Sequence, residues 1–74
     1  MKCLVCDSDD ATDITPSGGF DGILVSCPQC KKYEVADGYE DKLRSMDIED
    51  RKSVLAKAVR FAHGGRPAIN RLTF

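Results

Sequence analysis

Cys27-Pro28-Gln29-Cys30-Lys31-Lys32-Tyr33-Glu34-Val35 is the stretch whose reading decides the fold of this 74-residue chain. Two cysteines separated by two residues curl the backbone into a tight knuckle whose sulfurs can reach one point. The alternation of Tyr33 and Val35 around Glu34 then predicts a short strand. Upstream, Ile23-Leu24-Val25 is the strongest strand signal, a short β-branched and aliphatic run. Further upstream the knuckle spacing returns as Cys3-Leu4-Val5-Cys6, twenty residues before Cys27. That gap is long enough for two strands of about five or six residues plus turns. Ala11–Thr15 is the candidate first strand. Either Pro16-Ser17-Gly18-Gly19 or Asp21-Gly22 can make the turn, so the register of the first two strands stays open.

Cys3, Cys6, Cys27 and Cys30 therefore form a ligand set with the spacing of a zinc site. Zinc takes four ligands in a tetrahedron, and thiolates at about 2.3 Å suit it. Four cysteines have three other common uses. Two disulfides require an oxidising compartment. A redox Cys-x-x-Cys requires a βαβ setting, which this pattern lacks. Iron is chemically compatible with four sulfurs. The spacing favours one Zn2+ as cofactor. The size of the chain points the same way. A domain this short buries only about 60% of the surface its unfolded form exposes, and three Phe, two Tyr and no Trp allow only a modest core. It needs a staple, and structural zinc supplies apparent binding energy of about 10–16 kcal/mol in finger peptides.

The two knuckles with strands between and after them resemble a zinc ribbon over residues 1–36, and small bacterial proteins with a ribbon followed by helices look similar. Ribbons often carry Cys-Pro-x-Cys-Gly as the second knuckle. Here Lys31 replaces that glycine and Asp7 stands at the same place after the first knuckle. Such positions often take positive φ, which Gly tolerates best, Asp moderately and Lys poorly. The resemblance implies a fold found in transcription and translation proteins, nucleic-acid enzymes and protein-docking modules, which leaves function open.

From Asp37 the pattern becomes helical. Asp37 with Glu40 resembles a capping box, and Tyr39, Leu43 and Met46 follow on one face. Asp47 offers a second N-cap with Asp50 three residues on. Ile48, Leu55, Val59 and Ala62 make a stripe at helical period, and Gly64, Gly65 and Pro67 stop it. Two helices, 38–46 and 48–62, are expected, with one continuous helix as the alternative. The fold class expected is α+β: a zinc ribbon of three short antiparallel strands (1–36), a helical segment packed on it (37–63), and an extended tail (64–74), together one domain. Ile69, Leu72 and Phe74 give the tail apolar anchors. They suit it to fold back on the helices or to add to a sheet edge of another chain.

Charge is split. Residues 1–47 carry five Lys/Arg against ten Asp/Glu, and residues 48–74 carry six against two. A nucleic-acid clamp is usually basic throughout. The basic half nevertheless offers Lys57, Arg60, Arg66 and Arg71 as candidate phosphate contacts, against the plainer reading of a solvated surface. Only Phe20, Tyr33 and Phe74 are aromatic outside the helices, few for a single-strand reader. Val54, Ala58 and Phe61 lie beside the main apolar stripe and are the candidate association surface, against the plainer reading of a wide core face. His63 suits a helix C-terminus. The aspartates 7, 9, 10 and 13 miss calcium-loop spacing and read as a solvated loop. No nucleophile, base and orienter set can be assembled. No apolar run reaches about 18 residues, and neither a signal peptide nor a lipidation motif is present. The expectation is a cytoplasmic, non-enzymatic zinc protein with a protein partner or homodimer. Nucleic-acid binding is the alternative, and thiol redox catalysis a third class.

Overall fold

In the computed structural model, which describes residues 1–74, the chain runs β1 (Thr12–Asp13), β2 (Ile23–Cys27), β3 (Lys31–Val35), α1 (Glu40–Arg44), α2 (Ile48–Ala62) and β4 (Ala68–Ile69). The second cysteine pair is the turn of the β2–β3 hairpin, with Cys27 opposite Lys31, Val25 opposite Tyr33 and Ile23 opposite Val35. Strand alternation sends Val25, Tyr33 and Val35 to the same face, and all three are buried. Ile69, opposite Val35 on the neighbouring strand, extends that face, and Leu43, Val54 and Ala58 from the helices share the core with it. Cys3, Leu4, Val5, Ala11 and Cys27 continue the same core. Metal end and apolar core are thus one body.

The sheet has four strands in the order β1-β2-β3-β4, which corrects the expected three. The added strand comes from the segment read as a tail, and it lies on this chain's own sheet edge, parallel to β3. Glu34 N–H donates to Pro67 O at 2.9 Å and Ala36 N–H to Ile69 O at 2.8 Å. A parallel pair needs a long crossover, which the two helices provide. Two residues directly after a proline carry no readable alternation, so only the burial of Ile69 reveals the strand. Beyond it, Asn70 Oδ1 accepts from Leu72 N–H, and Thr73 Oγ accepts from Asn70 N–H and donates to Asn70 O. That turn sends Phe74 onto Tyr39, ring centroids 5.3 Å apart, with Lys42 Nζ 4.9 Å from the Phe74 ring. The C-terminal segment therefore both extends the sheet and folds back on α1.

Strand β1 is shorter than the 11–15 span expected. Thr12 sits opposite Ser26 and Asp13 opposite Val25. Both candidate turns fall in the connection to β2. Ile14 N–H reaches Leu24 O, and Leu24 N–H reaches Thr15 Oγ, whose own hydroxyl donates to Asp13. Gly22 at φ +104 closes that connection against β3: a Cβ there would collide with the Val35 carbonyl oxygen. Gly22→Ala is expected to cost more than about 1 kcal/mol, since both the positive φ and the backbone contact oppose a side chain. Thermal denaturation in excess zinc reads it; an unchanged Tm contradicts the role given to this glycine.

Helix α1 begins at Glu40, later than the 38–46 span expected, and the Asp37 cap is not used. Gly38 at φ +89 makes residues 36–39 a turn, with Tyr39 N–H donating to Ala36 O, so helical geometry starts after it. Helix α2 matches its expected 48–62 span. Asp47 occupies the N-cap position but forms no side-chain cap bond, and His63 ends the helix in the left-handed region at φ 49. The buried face is rotated from the expected stripe. Arg51, Val54 and Ala58 are buried and Leu55 is partly so, whereas Val59 is 52% exposed. The sheet takes the side of α2 that also carries Arg51, because that guanidinium has partners inside the fold. No helix is long and apolar enough to cross a membrane.

Candidate metal centre

Each knuckle is built by short-range backbone chemistry. In the first, Cys3 N–H donates to Ser8 O at 2.8 Å and Asp7 N–H to Cys3 O at 3.0 Å. The loop closes only if the residue after the second cysteine turns left-handed, and Asp7 does so at φ 61. In the second, Lys31 does the same at φ 67. The two positions where ribbons favour glycine thus keep the positive φ without it.

The hairpin brings the knuckles together. The four sulfurs all lie within 4.8 Å of one another. Cys3 Sγ is 3.8 Å from Cys30 Sγ, and Cys6 Sγ is 3.7 Å from Cys27 Sγ. A tetrahedron with metal–sulfur bonds of about 2.3 Å has edges of about 3.8 Å, so these separations suit one four-coordinate ion. They are far beyond the roughly 2.05 Å of a disulfide, and all four cysteines are free thiols. Each close pair joins one knuckle to the other, so an ion here ties residues 3–6 to residues 27–30.

The electrostatics call for a cation. Burial pushes the Cys3 thiol up, but the Cys6 N–H, the Tyr33 hydroxyl and the Val5 N–H outweigh it and bring it down to about 7. Burial raises Cys6. Burial, contact with the Cys6 sulfur and the negative charge of Cys3 raise Cys30 strongly. Without a positive ion Cys3 ionises readily, whereas Cys6 and Cys30 resist it. A divalent cation removes that conflict.

Two supports were not visible as site residues in the sequence. Tyr33 is 0% exposed. Its hydroxyl lies 3.2 Å from Cys3 Sγ and accepts from Leu4 N–H at 3.1 Å. With one lone pair engaged by Leu4, the hydroxyl is placed to donate to the sulfur when Cys3 is a thiolate, and burial is the main cause of its raised pKa. Partners of this kind commonly change metal affinity about 10–100-fold. Tyr33→Phe is expected to weaken the affinity for Zn2+ or Co2+ by that factor, measured by competition with a chromogenic chelator; an unchanged affinity contradicts it. Tyr33 is also removed from the aromatics open to base stacking.

Arg51 is the second support. It is only 8% exposed. It donates to Asp7 Oδ1 at 2.9 Å, to Met46 O at 2.9 Å and to Arg44 O at 3.0 Å. One side chain caps the C-terminus of α1 and holds the residue next to Cys6. Asp7 therefore leaves the solvated acidic loop to which its neighbours Asp9 and Asp10 belong.

Lys57 Nζ lies 6.0 Å from the Phe61 ring. Arg60 and Arg71 are exposed. Arg66 pairs with Glu34 at 3.7 Å and lines a groove together with Lys31 and Lys32, two lysines from the half of the chain whose net charge is acidic. Of the candidate association residues, Val54 and Ala58 belong to the core and Phe61 is 55% exposed. Comparison with known protein families, curated protein sequences and solved structures gives no match to this chain.

Proposed function

We propose that this protein is a small, non-enzymatic zinc-binding module of zinc-ribbon type that acts through protein association by its helical half. The observation that carries the zinc assignment is the pair of cross-knuckle sulfur separations, 3.7 and 3.8 Å, from four free thiols. Zinc is preferred to iron on the spacing of the two cysteine pairs and the closed, four-ligand character of the shell. Four thiolates committed to one ion are not available as nucleophiles. Free thiols fit a reducing, cytoplasmic setting. The association reading now rests on Phe61, with Val59 and the 65% exposed Leu72 as further apolar groups.

Native mass spectrometry of the reduced chain tests both parts. It is expected to show one zinc per chain, and an assembly that Phe61→Asp disrupts. Iron, or no metal, contradicts the zinc assignment. An assembly state that Phe61→Asp leaves unaltered contradicts self-association through that face. Oligonucleotide binding that falls steeply with salt and is lost on Lys57→Glu with Arg60→Glu would instead establish the nucleic-acid alternative.

A further inference from the structure

We infer that the open groove between the second knuckle and the end of α2 is a docking site for an acidic peptide segment with apolar anchors; this rests on the protein-association reading and names its partner chemistry. The groove measures about 830 Å³ and is lined by Cys30, Lys31, Lys32, Val59, Arg66 and Pro67 among others. Its size falls in the range of ligand clefts, about 300–1,000 Å³. Three cations stand around it. Arg66 pairs with Glu34 at 3.7 Å, whereas Lys31 and Lys32 are exposed and form no ion pair.

Lys31 is the most telling of the three cations. It holds a left-handed backbone at φ 67, where glycine would relieve the strain and close the knuckle equally well. A lysine there is a cost to the fold that a positive charge at the groove explains. Val59 explains the anchors. It is a large aliphatic side chain on α2, 52% exposed, and it shares the wall with Pro67. A second depression joins the first through Cys30 and Val59, and is walled by Leu55 and Ala56. Cations flanking an apolar strip match a chain that alternates carboxylates with aliphatic side chains. No aromatic ring lines either depression, so the stacking platform that single-stranded nucleic acid uses is lacking here.

The competing role for these lysines is to neutralise a metal centre whose four thiolates exceed the ion's charge by two. One experiment separates the two roles. The zinc-loaded full-length chain, labelled with nitrogen-15, is titrated with a short peptide of alternating glutamate and leucine. A lysine–leucine peptide and oligothymidylate serve as controls. Amide shifts are expected at Lys31, Lys32, Val59 and Arg66. The double variant Lys31→Gly with Lys32→Ser, which relieves backbone strain, is expected to stay folded with one zinc and to bind at least about tenfold more weakly. Val59→Asp is expected to weaken binding similarly. The inference is overturned by no shift up to about 1 mM peptide, by shifts confined to other surfaces, or by tighter binding of oligothymidylate. Shifts that grow with protein concentration alone, marking a second copy as occupant, also overturn it. So does a double variant that loses zinc affinity while binding peptide normally. Zinc content and the Phe61→Asp result are read separately, so the groove can fail while the zinc-module reading stands.

Discussion

Cys27→Ser is expected to leave the chain unfolded at room temperature even in excess zinc. Cys27 is buried at the end of β2, and its sulfur makes the 3.7 Å edge with Cys6 across the two knuckles. Serine is isosteric but a poor ligand at neutral pH, so the ion loses one of four bonds and the hairpin loses its clamp. Structural zinc supplies about 10–16 kcal/mol in small finger domains, while a domain of this size is stable by no more than about 5–15 kcal/mol in total. The core is a cluster of twelve mostly small to medium side chains, Cys27 among them, with four valines and a single buried aromatic ring. Loss of near-UV circular dichroism and of a cooperative thermal transition is the expected result. A variant that melts cooperatively near the wild-type temperature contradicts it.

Arg51→Met should give the largest loss among residues that do not touch the ion. Methionine keeps the apolar stem and removes the guanidinium. The Arg44 and Met46 carbonyls at the end of α1 then lack their donor, and Asp7 loses its partner. Removing one member of a largely buried pair costs about 3–5 kcal/mol. Asp7 is 37% exposed in its side chain, which places the loss near the lower end, about 3 kcal/mol. For a domain of this size that lowers Tm by roughly 10–20 °C. Asp7→Asn, which keeps a hydrogen-bond acceptor, should cost about 1 kcal/mol. Thermal melts of both variants in excess zinc check the pair; a shift below about 2 °C for Arg51→Met, well under 1 kcal/mol, removes Arg51 from the account.

The metal ligands were legible because thiolate coordination imposes a local spacing that two short loops must satisfy. Helix α2 was legible because its stop signals, Gly64, Gly65 and Pro67, act within a few residues. Strand β4 was not legible: its pairing is parallel, two residues long and made with β3 across more than thirty residues. The rotation of α2 was missed for a related reason. A helical wheel ranks faces by apolar content, and on that measure Arg51 belongs outside. It is drawn in by three acceptors on two other segments, a tertiary fact no window of sequence contains. Tyr33 read correctly as a strand residue, yet its hydroxyl bond to Cys3 depends on the register of β3 against the first knuckle. Of the two choices for the C-terminal segment, the structure shows the fold-back, through Phe74 on Tyr39, and puts Ile69 on this chain's own sheet edge where that of another chain was expected.

The zinc-dependence of the fold is tested most directly by recording an amide correlation spectrum of the reduced wild-type chain before and after chelation, and again after one equivalent of zinc. The account predicts a dispersed spectrum, its collapse to the narrow range of an unfolded chain once metal is stripped, and full recovery at a one-to-one ratio. A stripped, reduced chain that keeps its dispersion would contradict it, because the sheet and helices would then stand without the ion that is held to join them.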